Sequence, residues 1–539
     1  MPEVMQNIKI SCRGGLDLNS TSQELLSKPG FASRLTNFEC VSSGGYRRVN
    51  GFTSFGTNPV PGSGIIKGIH IFDETIIVAR GDHLYHTFDT ITWVQVNKEV
   101  TDADFATIEA AAEVPMDANT VKVRFDNYSQ GTAQEDRIVV AVNGFDFAMY
   151  FKVTGTDHTD ATYTFTYMDD VTTGTPQGCQ FVSIFRDQAY ISGQEETPST
   201  VYVSTIFDPL TWNGTASLQI STADPVTGLF PFRENMIVFC KNSIFFLQGV
   251  SEQNTVLKPI TKKIGCVHGD TIQEISGDLV YLAPDGLRTL AATERIGDVE
   301  LSTISSSIQP LINEITSDID SFTFHSTVIR KKSQYRLYYQ KEGTGTVTHQ
   351  GIIGTLVLSP EGSPGWNWSS TKRLSAEHVT EDLFDGEYVS LMATKDDGIL
   401  YQHDVGSTYN GDPIIATYST PFFDIGDPST RKNIHSMRVY VETEGDSTIN
   451  FNIKFTGKNN ELVHQPTSYM IEDFTANSAY GEATYGTQFV YNAPEINSRV
   501  TYVEGSGFTT AFSFFSGGIT DSPFNLQGFD VNFIASGKV

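Results

Sequence analysis

At 539 residues the chain exceeds what one ordinary hydrophobic core holds, so about two to four domains or one large repeat architecture are expected. Hydrophobic residues at 39% with 12% aromatics exclude global disorder, and 46 glycines among many Thr, Ser, Val, Phe and Tyr favour strands and tight turns, an all-β class. A net charge of −27, from 36 basic and 63 acidic side chains, excludes tight binding of nucleic acid through phosphate neutralisation, although an acidic wall lets a polyanion pass without sticking.

Residues 1–60 contain Gly14-Gly15, Gly44-Gly45 and the basic pair Arg47-Arg48 but no clear repeating pattern. The opening M-P-E-V-M-Q-N lacks a basic segment leading into an apolar run, so no secretion signal is expected. No apolar run approaches the roughly 20 residues that span a bilayer, so no membrane-spanning segment is expected. Cys12, Cys40, Cys179, Cys240 and Cys266 are widely spaced without a C-x-x-C, and read as reduced thiols of a protein made in a cytosol.

From Ile71 to Trp93 the chain reads as a small meander. The β-branched run Ile76-Ile77-Val78 leads into a turn at Gly81, Asp82 and His83, a second strand begins at Leu84-Tyr85, and a third follows Asp89. Its parts recur. Phe185-Arg186-Asp187, Phe232-Arg233-Glu234 and Phe384-Asp385-Gly386 each precede a hydrophobic strand, as Phe72-Asp73-Glu74 does. The second turn is echoed at Asn143-Gly144, Asn242-Ser243, Asp285-Gly286 and Asp397-Gly398, and Phe207-Asp208-Pro209-Leu210-Thr211-Trp212 repeats Phe88 to Trp93. The turns at 242 and 285 lie 43 residues apart, the length of a four-stranded propeller blade. Units near 65–100, 120–170, 178–222, 228–263, 270–300, 322–370 and 378–420 predict a β-propeller over 61–426, with six to eight blades and seven preferred. An open array of sandwich domains is the competing architecture, but it does not explain the recurring three-part order.

Helical signals are few. Asp102 to Glu113, with acidic residues in its first turn, and Ser305 to Ile315, with Ile308, Leu311, Ile312 and Ile315 at helical spacing, are expected as surface elements between blades. After the turn Gly426-Asp427-Pro428, alternating strands at 437–441, 449–455, 508–514 and 524–533 predict a C-terminal β-sandwich over 427–539. The polar segment 456–500 reads as a long loop or an oligomer contact.

Chemistry is sparse. Thr87-x-Asp89 to Trp93 resembles a degraded Asp-box, which even intact is a structural turn. His83 and His86, three apart on a strand, point to opposite faces and do not make a metal pair. Asp169-Asp170 and Asp396-Asp397-Gly398 read as exposed turns rather than calcium loops. No nucleotide, dinucleotide or hydrolase fingerprint is present in a suitable context, so the expectation is a protein without catalytic residues, cofactor or metal.

The run Ile8 to Glu39, followed by Gly44-Gly45-Tyr46-Arg47-Arg48-Val49-Asn50-Gly51-Phe52, resembles the opening of the tail nozzle proteins (tail tubular protein B) of tailed bacteriophages. Gly14-Gly15, Asn37 and Arg47-Arg48 occupy the matching places, and the resemblance is most specific over residues 8–56. It implies a non-enzymatic virion structural protein of the tail. In that family a homohexameric ring below the portal and adaptor continues the channel through which the genome leaves, and DNA passes without specific binding. Tail fibres or spikes are further partners. The N-terminal segment 1–60 is then expected at a subunit or adaptor interface, with Arg13, Arg34, Arg47 and Arg48 as contact candidates. Residues 101–230, with 5 basic against 18 acidic side chains, would place acidic loops toward the lumen or solvent. The alternative reading is a propeller-fold virion enzyme that binds or degrades glycans, which predicts carboxylates or aromatics converging in a pocket at one end of the propeller axis.

Overall fold

The computed structural model describes residues 5–72, 74–98, 116–129, 137–154, 162–167, 176–220, 223–248, 256–290, 303–341, 349–358, 364–394, 397–456, 468–474, 497–519 and 521–538. The expected helix at Asp102 to Glu113, the pair Asp169-Asp170, Asp396 and most of 456–500 lie outside these residues.

The chain is a β-propeller joined to a β-sandwich. Among the described residues six blades have four or more strands, and a narrower three-stranded sheet sits between the fourth and fifth of them. The first blade spans Ile66–Phe72, Thr75–Arg80, His83–Thr87 and Val94–Gln95. The second runs from Arg124–Ser129 to Thr162–Tyr167, the third from Phe181–Phe185 to Asp208–Gln219, and the fourth from Val226–Phe232 to Val256–Thr261. The narrow sheet holds Gln273–Ile275, Asp278–Ala283 and Gly286–Thr289. The fifth blade runs from Phe322–Ile329 to Pro364–Lys372 and the sixth begins at His378–Phe384. The first strands of these units adjoin in chain order, the turn Gly269–Thr271 making the contact between the fourth blade and the narrow sheet, and that of the sixth blade returns to that of the first, which closes the ring.

The recurrent aromatic-charged pattern is a two-residue hairpin. Phe185 pairs with Gln188, Phe232 with Asn235, Ile275 with Asp278 and Phe384 with Glu387, so two residues make each connection. Arg186 and Asp187 (φ 46° and 61°), Ser276 and Gly277 (52° and 76°) and Asp385 and Gly386 (50° and 76°) take the mirror-image turn that suits the right-handed twist of the strands. Two of these turns reach onward around the ring. Arg186 Nη2 donates to the Glu234 carbonyl at 2.7 Å and Arg233 Nη2 to the Gly277 carbonyl at 3.0 Å, each guanidinium lying over the phenylalanine before it.

The N-terminal segment is not a separate unit. Phe52–Ser54 pairs with Tyr401–His403 as the fourth strand of the sixth blade, so the propeller is closed by residues that precede its first blade. Met5–Ser11 lies along Phe524–Lys538, and Phe38–Cys40 and Tyr46–Arg48 extend the same sandwich sheet, which also holds Thr430–Thr443 and Asn497–Tyr502. The facing sheet contains Arg34–Thr36, Ala416–Ser419, Thr509–Ser516, Ser447–Thr456 and Tyr469–Phe474. Through Thr36, paired parallel with Ser370, this second sheet continues into the fifth blade as one nine-stranded sheet. The expected boundaries at 60 and 426 therefore shift: 52–54 belong to the propeller, while 5–48 and 416–419 are woven into the sandwich and the sheet it shares with the fifth blade.

Strict alternation buries Ile449, Phe451, Ile453 and Phe455 on one face of their strand. Phe512 and Phe514 each meet Phe529 of the opposite sheet at 5.1 Å between ring centroids. The helix Gln309–Thr316, with Pro310 in its first turn, departs from the surface position expected for it. Ile308, Ile312 and Ile315 are buried in the same core as the sandwich strands.

A buried ionic cluster ties the parts together. Glu39 Oε1 meets Arg47 Nη1 and Lys332 Nζ at 2.9 Å each, and Glu39 Oε2 meets Arg336 Nη2 at 2.9 Å. Asp404 of the sixth blade takes Arg336 Nη2 at 2.9 Å and Lys332 Nζ at 2.8 Å, while Arg47 forks onto both Glu444 oxygens at 2.7 Å. Burial alone would raise the Asp404 carboxyl, but the Arg336 and Lys332 charges outweigh it and hold the group below the usual range. Truncating Arg336→Met removes the buried cation that Glu39 and Asp404 share, leaving Glu39 with Arg47 and Lys332 and Asp404 with Lys332 alone, and a loss of about 3 kcal/mol is expected in urea unfolding, with propeller and sandwich lost in one transition. A variant within about 0.5 kcal/mol of the parent, or two separate transitions, would contradict this account of the junction.

Candidate functional site

The first strands of the units converge on the propeller axis and line a half-open cavity of about 290 Å³. Every unit contributes: Gly68 to His70, Lys122 to Phe125, Val182, Phe230, Asp270 with Gln273, His325 with Ser326, and His378 to Thr380. A smaller cavity of about 190 Å³ shares Phe230, Gln273, Ser326, Val379 and Thr380 with it and adds Glu274, Arg330 and Glu381.

Asp270 organises the larger cavity. It sits in the turn Gly269–Thr271 just before the first strand of the narrow sheet, where the Ser326 hydroxyl donates to its carbonyl at 2.5 Å. Arg124 forks onto its carboxylate, Nε to Oδ1 at 3.1 Å and Nη2 to Oδ2 at 2.9 Å, and Lys122 Nζ reaches Oδ2 at 2.8 Å. Lys122 and Arg124 are two apart on an extended segment, which puts both cations on one side of it. Burial would raise the Asp270 carboxyl, yet these two charges hold it well below the usual carboxylate range. Burial in turn lowers Lys122 to about 8, against the pull of Asp270.

Four histidines surround this ion group. His325 Nδ1 lies 3.3 Å from Lys122 Nζ, and its ring is 4.7 Å from that of His378. His268 Nδ1 lies 3.8 Å from Asp270 Oδ2, and His70 Nε2 bonds Asn127 Oδ1 at 2.6 Å while its ring stacks on Phe125. Burial lowers all four, His268 to about 4 and His325 and His378 well below the ordinary value, the last two further opposed by Lys122. Chemically the site is a partly buried group of two cations, one ionised carboxylate and neutral imidazoles.

The residues singled out from sequence fall elsewhere. Arg13 and Arg34 are exposed, as an interface role requires. Arg47 is committed to Glu39 and Glu444, and Arg48 is fully buried, donating to the carbonyls of Asp521 and Ile414, so Arg48 is corrected from a contact candidate to a core residue. Asp89 Oδ1 accepts from the Thr87 hydroxyl and from the amides of Ile91 and Thr92, and Asp208 Oδ1 accepts from Leu210 and Thr211 in the matching turn. Trp93 Nε1 donates to the Asn58 carbonyl and Trp212 is buried, so both motifs are turns with packed indoles. His83 pairs with Asp82, whereas His86 is buried in the blade. Lys122, Arg124, Asp270, His325 and His378 were not singled out from sequence. Their common signal is position, since each stands within three residues of the start of a unit's first strand.

Acid should unfold this protein early. Neutral in the fold, His268, His325, His378 and the buried His403 (also pushed down by burial) would take protons near 6.5 once unfolded. Their stabilisation is complete above about pH 6.5 and falls as pH drops toward 4, by about 1.4 kcal/mol per pH unit for each proton. Asp126, raised by burial to about 6, and Glu381, also raised by burial, oppose the trend. Urea midpoints between pH 7.5 and 4.5 should therefore drop steeply, and His325→Gln with His378→Gln should flatten the slope; an unchanged slope in that double variant would sink the assignment.

No protein-family model and no curated protein matches the chain. The crystal structure of the WD40 domain of SCAP from fission yeast is similar to it at a TM-score of 0.31 and 9% identity, over 64% of this chain and 82% of that one, and no argument about function rests on that likeness.

Proposed function

We propose that this chain is a non-enzymatic structural protein of a phage virion, a subunit of a tail nozzle whose copies form a homohexameric ring below the portal and adaptor. The observation that carries this reading is the weave of residues 8–56, the segment that resembles nozzle proteins. Those residues supply strands to both sandwich sheets, the fourth strand of the sixth blade and Glu39 of the ionic junction. A wall around a packaged genome has to bear load without hinging, and a nine-stranded sheet shared by propeller and sandwich suits that task.

Surface chemistry supports the same reading. The net charge of −27 suits a channel that DNA traverses without binding. Exposed Met470, Val500 and Tyr502, the last 84% exposed, lie on edge strands of the two sandwich sheets and offer apolar area to a neighbouring copy. Exposed Arg13 and Arg34 remain for the adaptor side.

The glycan-hydrolase alternative draws less support from the axis. Asp270, the one carboxylate among the residues lining the larger cavity, is held ionised by Lys122 and Arg124, and Glu381, the carboxyl that burial raises, lies in the smaller cavity beside Arg330 rather than in the larger one.

Native mass spectrometry and negative-stain imaging of the full chain, alone and with the virion's adaptor–portal assembly, test the proposal. Rings of about six copies with an axial opening are expected, and Tyr502→Asp should shift them toward monomers. A chain that stays monomeric beside that assembly and releases sugars from a host surface polysaccharide would overturn it.

A further inference from the structure

We propose that the axial cavity of the propeller is a binding site for a small oxyanion, either inorganic (phosphate or sulfate) or the carboxylate of a small organic acid. The inference does not rest on the nozzle assignment.

Three observations carry it. The first is charge. Lys122 and Arg124 face a single lining carboxylate, Asp270, which leaves one positive charge in excess on the wall of a partly buried cavity. An unbalanced buried charge is costly, and a counterion relieves it. The surrounding chain carries −27, so this cationic pocket stands against the sign of the whole molecule.

The second is unspent hydrogen-bonding capacity. The Lys122 ammonium has three N–H groups and uses two, toward Asp270 and His325. Because His325 Nδ1 accepts from Lys122, the imidazole proton sits on Nε2, which is left as a donor. His378 lines the cavity, and its ring nitrogens make no hydrogen bond to the described residues and are not sealed from solvent. An imidazole on the cavity wall with uncommitted ring nitrogens offers a donor to an ion held beside Lys122.

The third is geometry. These groups come from the second, fifth and sixth blades, and a volume of about 290 Å³ holds a polyatomic ion with its waters. An oxyanion, with several acceptors, can take donors from all three blades at once, whereas a cation would meet Lys122 and Arg124. Bound there, it would staple the ring from inside.

The test uses the full chain in titration calorimetry and thermal unfolding with phosphate, sulfate and citrate, each against chloride at matched ionic strength. Saturable binding near one ion per chain and a rising midpoint are expected. A response to phosphate or sulfate assigns an inorganic ligand, and a response to citrate alone assigns the carboxylate source. Lys122→Met and His378→Phe should each weaken binding about tenfold or more, while Arg233→Ala, at a blade turn, should leave it unchanged. If Lys122→Met fails to fold, histidine ring resonances of the parent chain decide the matter. The His325 and His378 signals should move on titration and that of His83 should not. No saturable response to any of the three anions, equal binding in His378→Phe, or unmoved His325 and His378 resonances would overturn the proposal.

Discussion

Both oxygens of one buried carboxylate, Glu39, hold three parts of the chain in register. Desolvating an ion costs several kcal/mol, which is offset only if its partners arrive in good geometry. Here the partners are Arg47 from the next N-terminal strand and Lys332 and Arg336 from the fifth blade, with Asp404 of the sixth blade completing the group. Arg47 passes the constraint on to Glu444 of the sandwich. No part can leave without stranding charge in a low-dielectric interior, so propeller and sandwich are held as one body by electrostatics as well as by the shared sheet.

The ring itself obeys a different constraint. Hydrophobic packing works between neighbouring blades, as in the cluster of Ile69, Ile71 and Val78 with Leu391 and Leu400, and it leaves the axis to the first strands alone. Side chains there cannot fill the centre with apolar volume, so polar groups collect at that point. Asp270 keeps Lys122 and Arg124 from repelling one another, and the neutral histidines pack beside them at the cost of acid sensitivity.

What could be read from sequence was local. The Phe-charged-charged pattern marked the inner hairpins because a two-residue mirror-image turn constrains its own residues, and the 43-residue spacing located the narrow sheet, although not that it would have only three strands. Alternation likewise disclosed the sandwich. Partnership could not be read, since a period of two tells which face a residue takes and not which strand lies beside it. Nothing near Met5–Ser11 signals that it will pair with residues 528–534, and Phe52 reads as part of an N-terminal segment until His403 is seen opposite it. Arg47-Arg48 reads as an interface pair for the same reason, because Glu39, Glu444 and the Asp521 carbonyl are brought there only by the fold. The axial group was hidden more deeply, being assembled from single residues of separate blades, each unremarkable in its own segment.

A cationic axis inside so acidic a chain invites the objection that it contradicts a DNA channel, but two different openings are involved. The propeller axis belongs to one subunit, and a cavity of about 290 Å³ admits an ion or a cluster of waters, not a duplex. A nozzle lumen would instead lie on the symmetry axis between copies, lined by whichever face each subunit turns inward. Charges more than about 8 Å apart across solvent are largely screened at physiological ionic strength. Lys122 and Arg124 therefore answer to Asp270, and acidic loops on an outer face would answer to the passing polyanion. The same sequence can thus keep a positive centre for its own cohesion and a negative surface for what it encloses.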